Sequence, residues 1–167
     1  MSYNIVLIGM PGAGKSTVGV ILAKSLGMEF CDTDLLIQKN ENMVLQDIID
    51  KYGMEYFKQC EEKSIMAAEY NNCVIATGGS AVYSEAAMKY LKKNGIVVYL
   101  SVSPCVLKKR IDNFATRGII GSGSMEDIFA KRRALYEKYA DITVNCDEGN
   151  TESNVKAVID GIEEMRR

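Results

Sequence analysis

Short runs of branched apolar residues alternate along the chain with longer stretches whose apolar positions recur at helical spacing. The apolar runs predict five strands, at residues 4–8, 28–31, 73–76, 96–100 and 142–144. The stretches between and after them predict seven helices, at residues 15–26, 34–51, 55–70, 84–93, 104–114, 125–139 and 151–165. Strands separated by helices favour right-handed βαβ units, and therefore an α/β fold of three layers with a five-stranded parallel sheet flanked by helices.

One domain accounts for the whole sequence. A chain of 167 residues is of ordinary size for a single domain, and it contains no internal repeat, low-complexity tract or linker. The segment "TRGIIGSGS", between two predicted helices, is rich in glycine and serine and contains an arginine. We therefore predict a single domain over residues 1–167, with a mobile lid at about residues 115–124.

The charge balance limits the classes of partner. The 20 basic and 22 acidic residues give a net charge of −2, so no general basic field attracts nucleic acid or an anionic membrane. No apolar run is long enough to span a membrane and no leader pattern is present, which predicts a cytoplasmic protein. The chain has no histidine, so proton transfer must depend on a carboxylate, a lysine or water.

The first predicted strand runs directly into "GMPGAGKST", which satisfies the pattern G-x-x-x-x-G-K-[ST] between a strand and a helix. Such a loop turns its backbone N–H groups toward phosphate, and the following helix presents its positive end to the same anion. In this pattern Lys15 reaches the β- and γ-phosphates and Ser16 binds Mg²⁺. The residues expected to bind the nucleotide are Gly12, Ala13, Gly14, Lys15, Ser16 and Thr17.

Two aspartates follow the second predicted strand in "FCDTD". In a parallel sheet Asp32 and Asp34 reach the same edge as the phosphate loop, where alternate residues can serve a magnesium site and an acceptor hydroxyl. The alternative is that one of them caps the next helix. The guanine-reading pattern N-K-x-D is missing, and the strand in "VVYLSVSP" does not end on an aspartate. These observations favour a small kinase over a GTPase or a large motor ATPase.

The chain resembles the shikimate kinases, which have the nucleoside monophosphate kinase fold. The resemblance extends over nearly the whole length, through "GMPGAGKST", "DTD", "GMEYFKQCEE", "ATGGS", "TRG" and "RRALYEKYAD". It implies transfer of phosphate from ATP, with Mg²⁺, to a hydroxyl of shikimate. It also implies a small-molecule substrate, no nucleic-acid or membrane partner, and a monomer.

The same resemblance implies roles for individual residues. Asp32 would serve the metal with Ser16, and Asp34 would bind the acceptor and act as its base. The lid arginine would be Arg117, which acts with Lys15 on the phosphates, and Arg110 would pack by adenine. The residues implied on the acceptor side are Asp34, Lys58, Gly78, Gly79, Ser80 and Arg133.

Departures from the family pattern gather on the acceptor side. Lys58 replaces an arginine, and an ammonium cannot hold a carboxylate with two parallel bonds as a guanidinium does. Ser80 replaces a third glycine, so it would be strained if the turn requires a positive φ, and its hydroxyl would enter the pocket wall. Alternative functions are therefore a kinase for another small polyhydroxy acid or polyol, and a regulatory protein that binds nucleotide without transferring phosphate.

Overall fold

The computed structural model describes residues 3–110 and 124–167, and its strands are all parallel. They are β1 (Asn4–Ile8), β2 (Glu29–Asp32), β3 (Cys73–Ala76), β4 (Gly95–Ser101) and β5 (Ile142–Asn145). They form one sheet in the order β2-β3-β1-β4-β5. The predicted five-stranded parallel sheet is confirmed, and each predicted strand boundary is within one residue of the observed one.

Helices connect the strands. They are α1 (Lys15–Leu26), α2 (Thr33–Glu41), α3 (Leu45–Ala67), α4 (Glu85–Lys92), α5 (Pro104–Arg110), α6 (Met125–Tyr139) and α7 (Thr151–Met165). The predicted helix over residues 34–51 is wrong, because Asn42 takes a left-handed conformation with φ 51° and ends α2. The predicted gap before residue 55 corresponds to a kink inside α3, where Gly53 has φ 83° and ψ 170°. The last residues of the helix predicted over 104–114 lie outside the described residues.

Right-handed crossovers place the helices on both faces of the sheet. From β1 the chain crosses through α1 to β2, at one edge of the sheet. From β2 it crosses the sheet in the opposite direction, to β3, β4 and finally β5. Right-handed crossovers therefore place α1 on one face and α3, α4 and α6 on the other. The final helix, α7, packs against α1. Every residue of β1 is buried, as expected for a central strand that is covered on both faces.

A second, smaller core holds α2 against α3. Ile37 from α2 packs with Ile48, Phe57 and Cys60 from α3, apart from the main core around the sheet. This pair of helices carries Asp34 and Lys58 beside the edge of the sheet. None of the helices in the described ranges is long and apolar enough to cross a membrane.

The carboxyl ends of three neighbouring strands meet at one level. Asp32 at the end of β2 pairs with Ala76 of β3, which pairs with Leu7 of β1. The loops that leave these strands therefore emerge side by side, as expected for ligand binding in an open α/β sheet. The predicted lid lies outside the described residues except for Ser124, whose hydroxyl caps α6 by accepting a hydrogen bond from Asp127 N.

Candidate active site

A cavity of about 550 Å³ opens at this edge of the sheet. Its wall combines the phosphate loop, the start of α2, the turn after β3 and a single arginine from each of α5 and α6. Among the residues predicted for the site it includes Gly12, Gly14, Lys15, Ser16, Thr17, Asp34, Gly78, Gly79, Ser80 and Arg110. Ala13 is buried in the core beneath the loop.

The loop after β1 has the conformation that phosphate binding requires. Gly14 precedes α1 with φ 95°, which a side chain would strain, and no side chain caps the first turn of the helix. Lys15 bends back over the loop, and its Nζ donates to the carbonyl oxygens of Gly9 (2.7 Å) and Met10 (2.9 Å). An ammonium has three N–H groups, so a third is left for a ligand in the cavity.

Burial controls the charge of Lys15. Its pKa is lowered from 10.5 to about 8, mainly by removal from water; the Arg132 cation acts in the same direction, while the carboxylates of Asp34, Asp32 and Glu61 oppose the shift. Lys15 is therefore still mainly protonated at neutral pH and can offset phosphate charge.

Asp32 caps the next helix, one of the two roles considered for it, and also bonds to Ser16. Its Oδ1 accepts from Asp34 N (3.0 Å) and caps α2, while its Oδ2 accepts from the Ser16 hydroxyl (2.6 Å). Mg²⁺ in nucleotide sites takes one or two protein oxygens and completes its shell with water and phosphate. The Ser16 and Asp32 oxygens fit that pattern, and the described part of the chain has no cluster of three or more carboxylate, thiol or imidazole ligands.

Asp34 lies at the floor of the cavity on the first turn of α2. It is half-buried, and both this burial and the negative charge of Asp32 raise its pKa, while the Lys15 cation opposes them. Its Oδ1 lies 2.8 Å from the point where a Cβ on Gly78 would stand. A side chain at residue 78 would therefore displace Asp34.

The turn after β3 forms the opposite wall. Gly78 N donates to the Thr33 hydroxyl (3.1 Å), and the Gly79 carbonyl oxygen accepts from the Tyr136 hydroxyl (2.6 Å). A Cβ on Gly79 would lie 2.7 Å from Pro11 Cδ, in the phosphate loop. The two glycines therefore let this wall approach both the phosphate loop and Asp34.

Ser80 is not strained. Its φ of −94° is in the right-handed region, so the turn does not require a positive φ here and the condition for strain is not met. Its side chain is buried, and the hydroxyl donates to Glu61 Oε2 at 2.6 Å. Lys58 and Glu61 are three residues apart on α3 but do not form a surface ion pair, because Glu61 is buried and bonds to Ser80.

Arg132, and not Arg133, faces the cavity, beside the turn after β3. Arg132 is 3% exposed, lines the cavity, and stands with Nη1 3.0 Å from the Cβ position of Gly79. The Arg133 side chain is 60% exposed and pairs with Glu137 on the outer face of α6 (2.8 Å). The prediction that Arg133 lines the acceptor pocket is therefore wrong, since successive residues on a helix point about 100° apart.

Lys58 borders the cavity without lining it. Its Nζ lies 5.0 Å from the centre of the Tyr83 ring, and the Arg132 guanidinium carbon lies 5.5 Å from the same centre. Both cations line a groove that adjoins the cavity. Arg110 lines the cavity at the other end, where its Nη2 donates to the Cys146 carbonyl (2.7 Å). Arg117 lies outside the described residues.

Sequence reasoning missed several members of the site. It assigned no site role to Glu61, Thr33 or Tyr136. A signal for Arg132 was present, because Arg132, Tyr136 and Tyr139 follow the spacing i, i+4, i+7 and all three are buried. Two buried tyrosines on one helical face predict that the arginine on the same face also points inward.

Comparison with known proteins agrees with this geometry. The family model described as shikimate kinase matches residues 11–163. The chain belongs to the shikimate kinase family. Among curated family members, shikimate kinase of Sulfurihydrogenibium sp. (strain YO3AOP1) is 36% identical over 159 residues, which cover 93% of this chain and 95% of that protein. Shikimate kinase 2 of Pectobacterium atrosepticum is 33% identical over 155 residues, covering 89% of this chain and 90% of its own.

Solved structures support the shikimate kinase assignment. Shikimate kinase from Acinetobacter baumannii in complex with shikimate superimposes with a TM-score of 0.88 at 29% identity, over 97% of this chain and 93% of that chain. A gluconokinase from Sinorhizobium meliloti superimposes with a TM-score of 0.56 at 18% identity and shares the fold. The predicted family and the predicted P-loop kinase fold are both confirmed.

Proposed function

We propose that this chain transfers the γ-phosphoryl group of ATP to a hydroxyl of shikimate, giving shikimate 3-phosphate and ADP. The observation that carries the proposal is the shared cavity, in which the phosphate loop and a half-buried carboxylate, Asp34, stand beside a buried arginine, Arg132. These three parts supply a phosphate cradle, a group that can accept a proton, and a cation for an acid substrate.

The nucleotide half consists of the loop and the residues that flank it. Loop N–H groups and the start of α1 would hold the phosphates of ATP, and Lys15 would offset the charge that develops on the transferred group. Ser16 and Asp32 would hold Mg²⁺, which when bound neutralises phosphate charge. Arg110 would pack near adenine.

The acceptor half consists of α2, α3, the turn after β3 and α6. Asp34 would accept the proton of the acceptor hydroxyl, because burial and Asp32 favour its neutral form and so make it a stronger base. Arg132, with Lys58 at the cavity mouth, would bind the shikimate carboxylate. Gly78, Gly79 and Ser80 would supply the wall on which the ring rests.

The lid and the assembly state complete the proposal. Arg117, in the segment predicted to form the lid, would reach the ATP phosphates, and closure of that segment would exclude water from the transferring group. We further propose that the protein acts as a monomer in the cytoplasm. Sedimentation velocity of the purified chain with MgATP tests the assembly state, and a stable dimer would contradict it.

ADP release from MgATP tests the activity, with shikimate, quinate and gluconate each varied as the acceptor. Saturable turnover with shikimate supports the proposal. Asp34→Asn should strongly reduce this turnover, whereas Asp47→Asn, a matched change at an exposed aspartate of α3, should leave it intact. Turnover with quinate or gluconate but not with shikimate would favour a kinase for another polyhydroxy acid. This alternative is considered because Lys58 and Ser80 depart from the family pattern. ATP binding with no turnover on any acceptor would favour a regulatory protein.

A further inference from the structure

Glu61 is a buried carboxyl group to which the proposed reaction gives no task. It lies on α3, is 2% exposed, and its Oε2 accepts the Ser80 hydroxyl at 2.6 Å. Its Oε1 has no hydrogen-bond partner within the described residues. A buried charged oxygen without a partner is costly, so its presence calls for a physical reason.

The unpaired oxygen points at the acceptor wall. Glu61 Oε1 and Asp34 Oδ1 both crowd the position where a Gly78 Cβ would stand, so these two oxygens lie within about 5 Å of each other, a range at which charges shift each other's titration. Two carboxyl groups therefore flank Gly78. One of them, Asp34, lines the cavity itself.

Charged groups from several elements face Glu61. They are Asp34 of α2, Lys15 of α1 and Arg132 of α6, while Ser80 approaches from the turn after β3. On its own helix Lys58 turns to the Tyr83 ring and Glu62 bonds to Ser84. Arg132 is thus a cation that Glu61 would share with an acid bound in the cavity.

The charge of Glu61 changes in the neutral range. Its pKa is raised from 4.5 to about 7, mainly by burial, and the nearby Asp34 charge acts in the same direction. The Ser80 hydroxyl, Arg132 and Lys15 act in the opposite direction, because each stabilises the carboxylate. When Glu61 is ionised it partly neutralises Arg132, and when it is protonated the full charge of Arg132 is available to a ligand.

We propose that Ser80 is a positioning residue of the acceptor pocket, which holds the Glu61 carboxyl against Gly78 so that the charge on Glu61 sets the affinity for the anionic acceptor. The inference rests on the proposed function, because it takes shikimate as the acceptor. It gives a task to the residue that replaces a glycine of the family pattern.

The sign of the effect follows from linkage. An ionised Glu61 repels the acceptor carboxylate and weakens Arg132, so acceptor binding raises the pKa of Glu61 and takes up a proton. Affinity is therefore highest below the pKa of free Glu61 and falls as pH rises through neutrality. We expect the shikimate dissociation constant to increase about three- to fivefold from pH 6 to pH 8, as expected when binding raises the pKa of Glu61 by one unit or somewhat less.

Calorimetric titration of the full chain with shikimate, without nucleotide, measures this linkage. Pairs of buffers with different ionisation enthalpies give the number of protons taken up at each pH between 5.5 and 8. The unaltered chain should take up a fraction of a proton, with a maximum near neutral pH. Glu61→Gln should remove this proton uptake and make the shikimate dissociation constant independent of pH below 7.5. Any dependence from Lys15, whose pKa of about 8 is higher, would remain in that variant.

Ser80→Ala separates the positioning role from a structural one. Loss of the hydroxyl removes a bond to the ionised form of Glu61, so the midpoint of the affinity change should move to higher pH. The control is Ser84→Ala, which removes the neighbouring bond to Glu62 and the cap of α4 but should leave the midpoint unchanged.

A Ser80→Ala profile that superimposes on that of the unaltered chain would overturn the inference, as would proton uptake with a maximum near neutral pH that persists in Glu61→Gln. Shikimate binding with a pH-independent dissociation constant would overturn this inference alone. Absence of shikimate binding at every pH would overturn the proposed function and, with it, this inference.

Discussion

Replacement of Arg132 by alanine should weaken acceptor binding strongly, whereas the same change at Arg133 should not. Arg132 is 3% exposed and lies against the glycine wall, so an acceptor carboxylate bound there meets a desolvated guanidinium. Arg133 is exposed and pairs with Glu137 one helical turn away. The two variants change adjacent residues of one helix and remove the same side chain, so each is a control for the other.

The burial of Arg132 sets the size of the effect. Truncation of one partner of a buried charge pair weakens binding by about 2–5 kcal/mol of free energy. We expect a value in the lower half of that range, because Lys58 is a second cation at the border of the cavity. A loss of about 3 kcal/mol corresponds to a rise on the order of a hundredfold in the KM for shikimate. The KM for ATP should change far less, because Arg132 belongs to the acceptor wall.

Steady-state ADP release with shikimate varied at saturating MgATP measures both constants. Arg132→Lys tests whether charge alone is enough, and we expect an intermediate KM because an ammonium cannot form two parallel bonds. The Arg133→Ala enzyme should stay within about twofold of the unaltered one, as is usual for an exposed helical ion pair. A larger KM increase in Arg133→Ala than in Arg132→Ala would refute the assignment of Arg132 to the acceptor pocket.

Three further variants test other parts of the site. Asp34→Asn should lower kcat by about 10²–10⁴ with little change in ATP affinity, measured by equilibrium titration, because proton acceptance is lost; retained turnover would contradict that role. Lys58→Arg should lower the KM for shikimate, since a guanidinium can form a second parallel bond to the carboxylate; an unchanged KM would mean that Lys58 does not reach the acceptor. Tyr136→Phe should lower the free energy of unfolding in urea by about 1–2 kcal/mol, because the Gly79 carbonyl loses its donor; unchanged stability would mean that this bond contributes nothing net.

Local patterns were enough to predict the sheet and the phosphate loop. The strand–loop–helix from Asn4 to Leu26 is encoded by adjacent residues, with an apolar run, Gly14 at a positive φ and Lys15 at the first helical position. Its prediction needed no knowledge of distant contacts. The same is true of α6 and α7, which begin after capping boxes at Ser124 and Asn150.

Packing decided what the sequence patterns left open. The choice between Arg132 and Arg133 depends on which face of α6 meets the turn after β3, and that contact joins distant parts of the chain. The φ of Ser80 depends on how that turn fits beneath Glu61. The end of α2 at Asn42 also depends on tertiary contacts. The left-handed conformation of Asn42 lets α3 fold back on α2 and form the core around Ile37 and Phe57.

The Tyr136 hydroxyl binds a carbonyl oxygen 57 positions earlier in the chain, whereas the phosphate loop closes within a few residues. During synthesis, the nucleotide cradle is therefore encoded long before the helix that completes the acceptor wall. A nascent chain that ends before α6 carries Lys15 and Ser16 but neither Arg132 nor the hydroxyl that holds Gly79. The proposed acceptor wall is thus complete only near the end of translation, when α6 has been synthesised and docks.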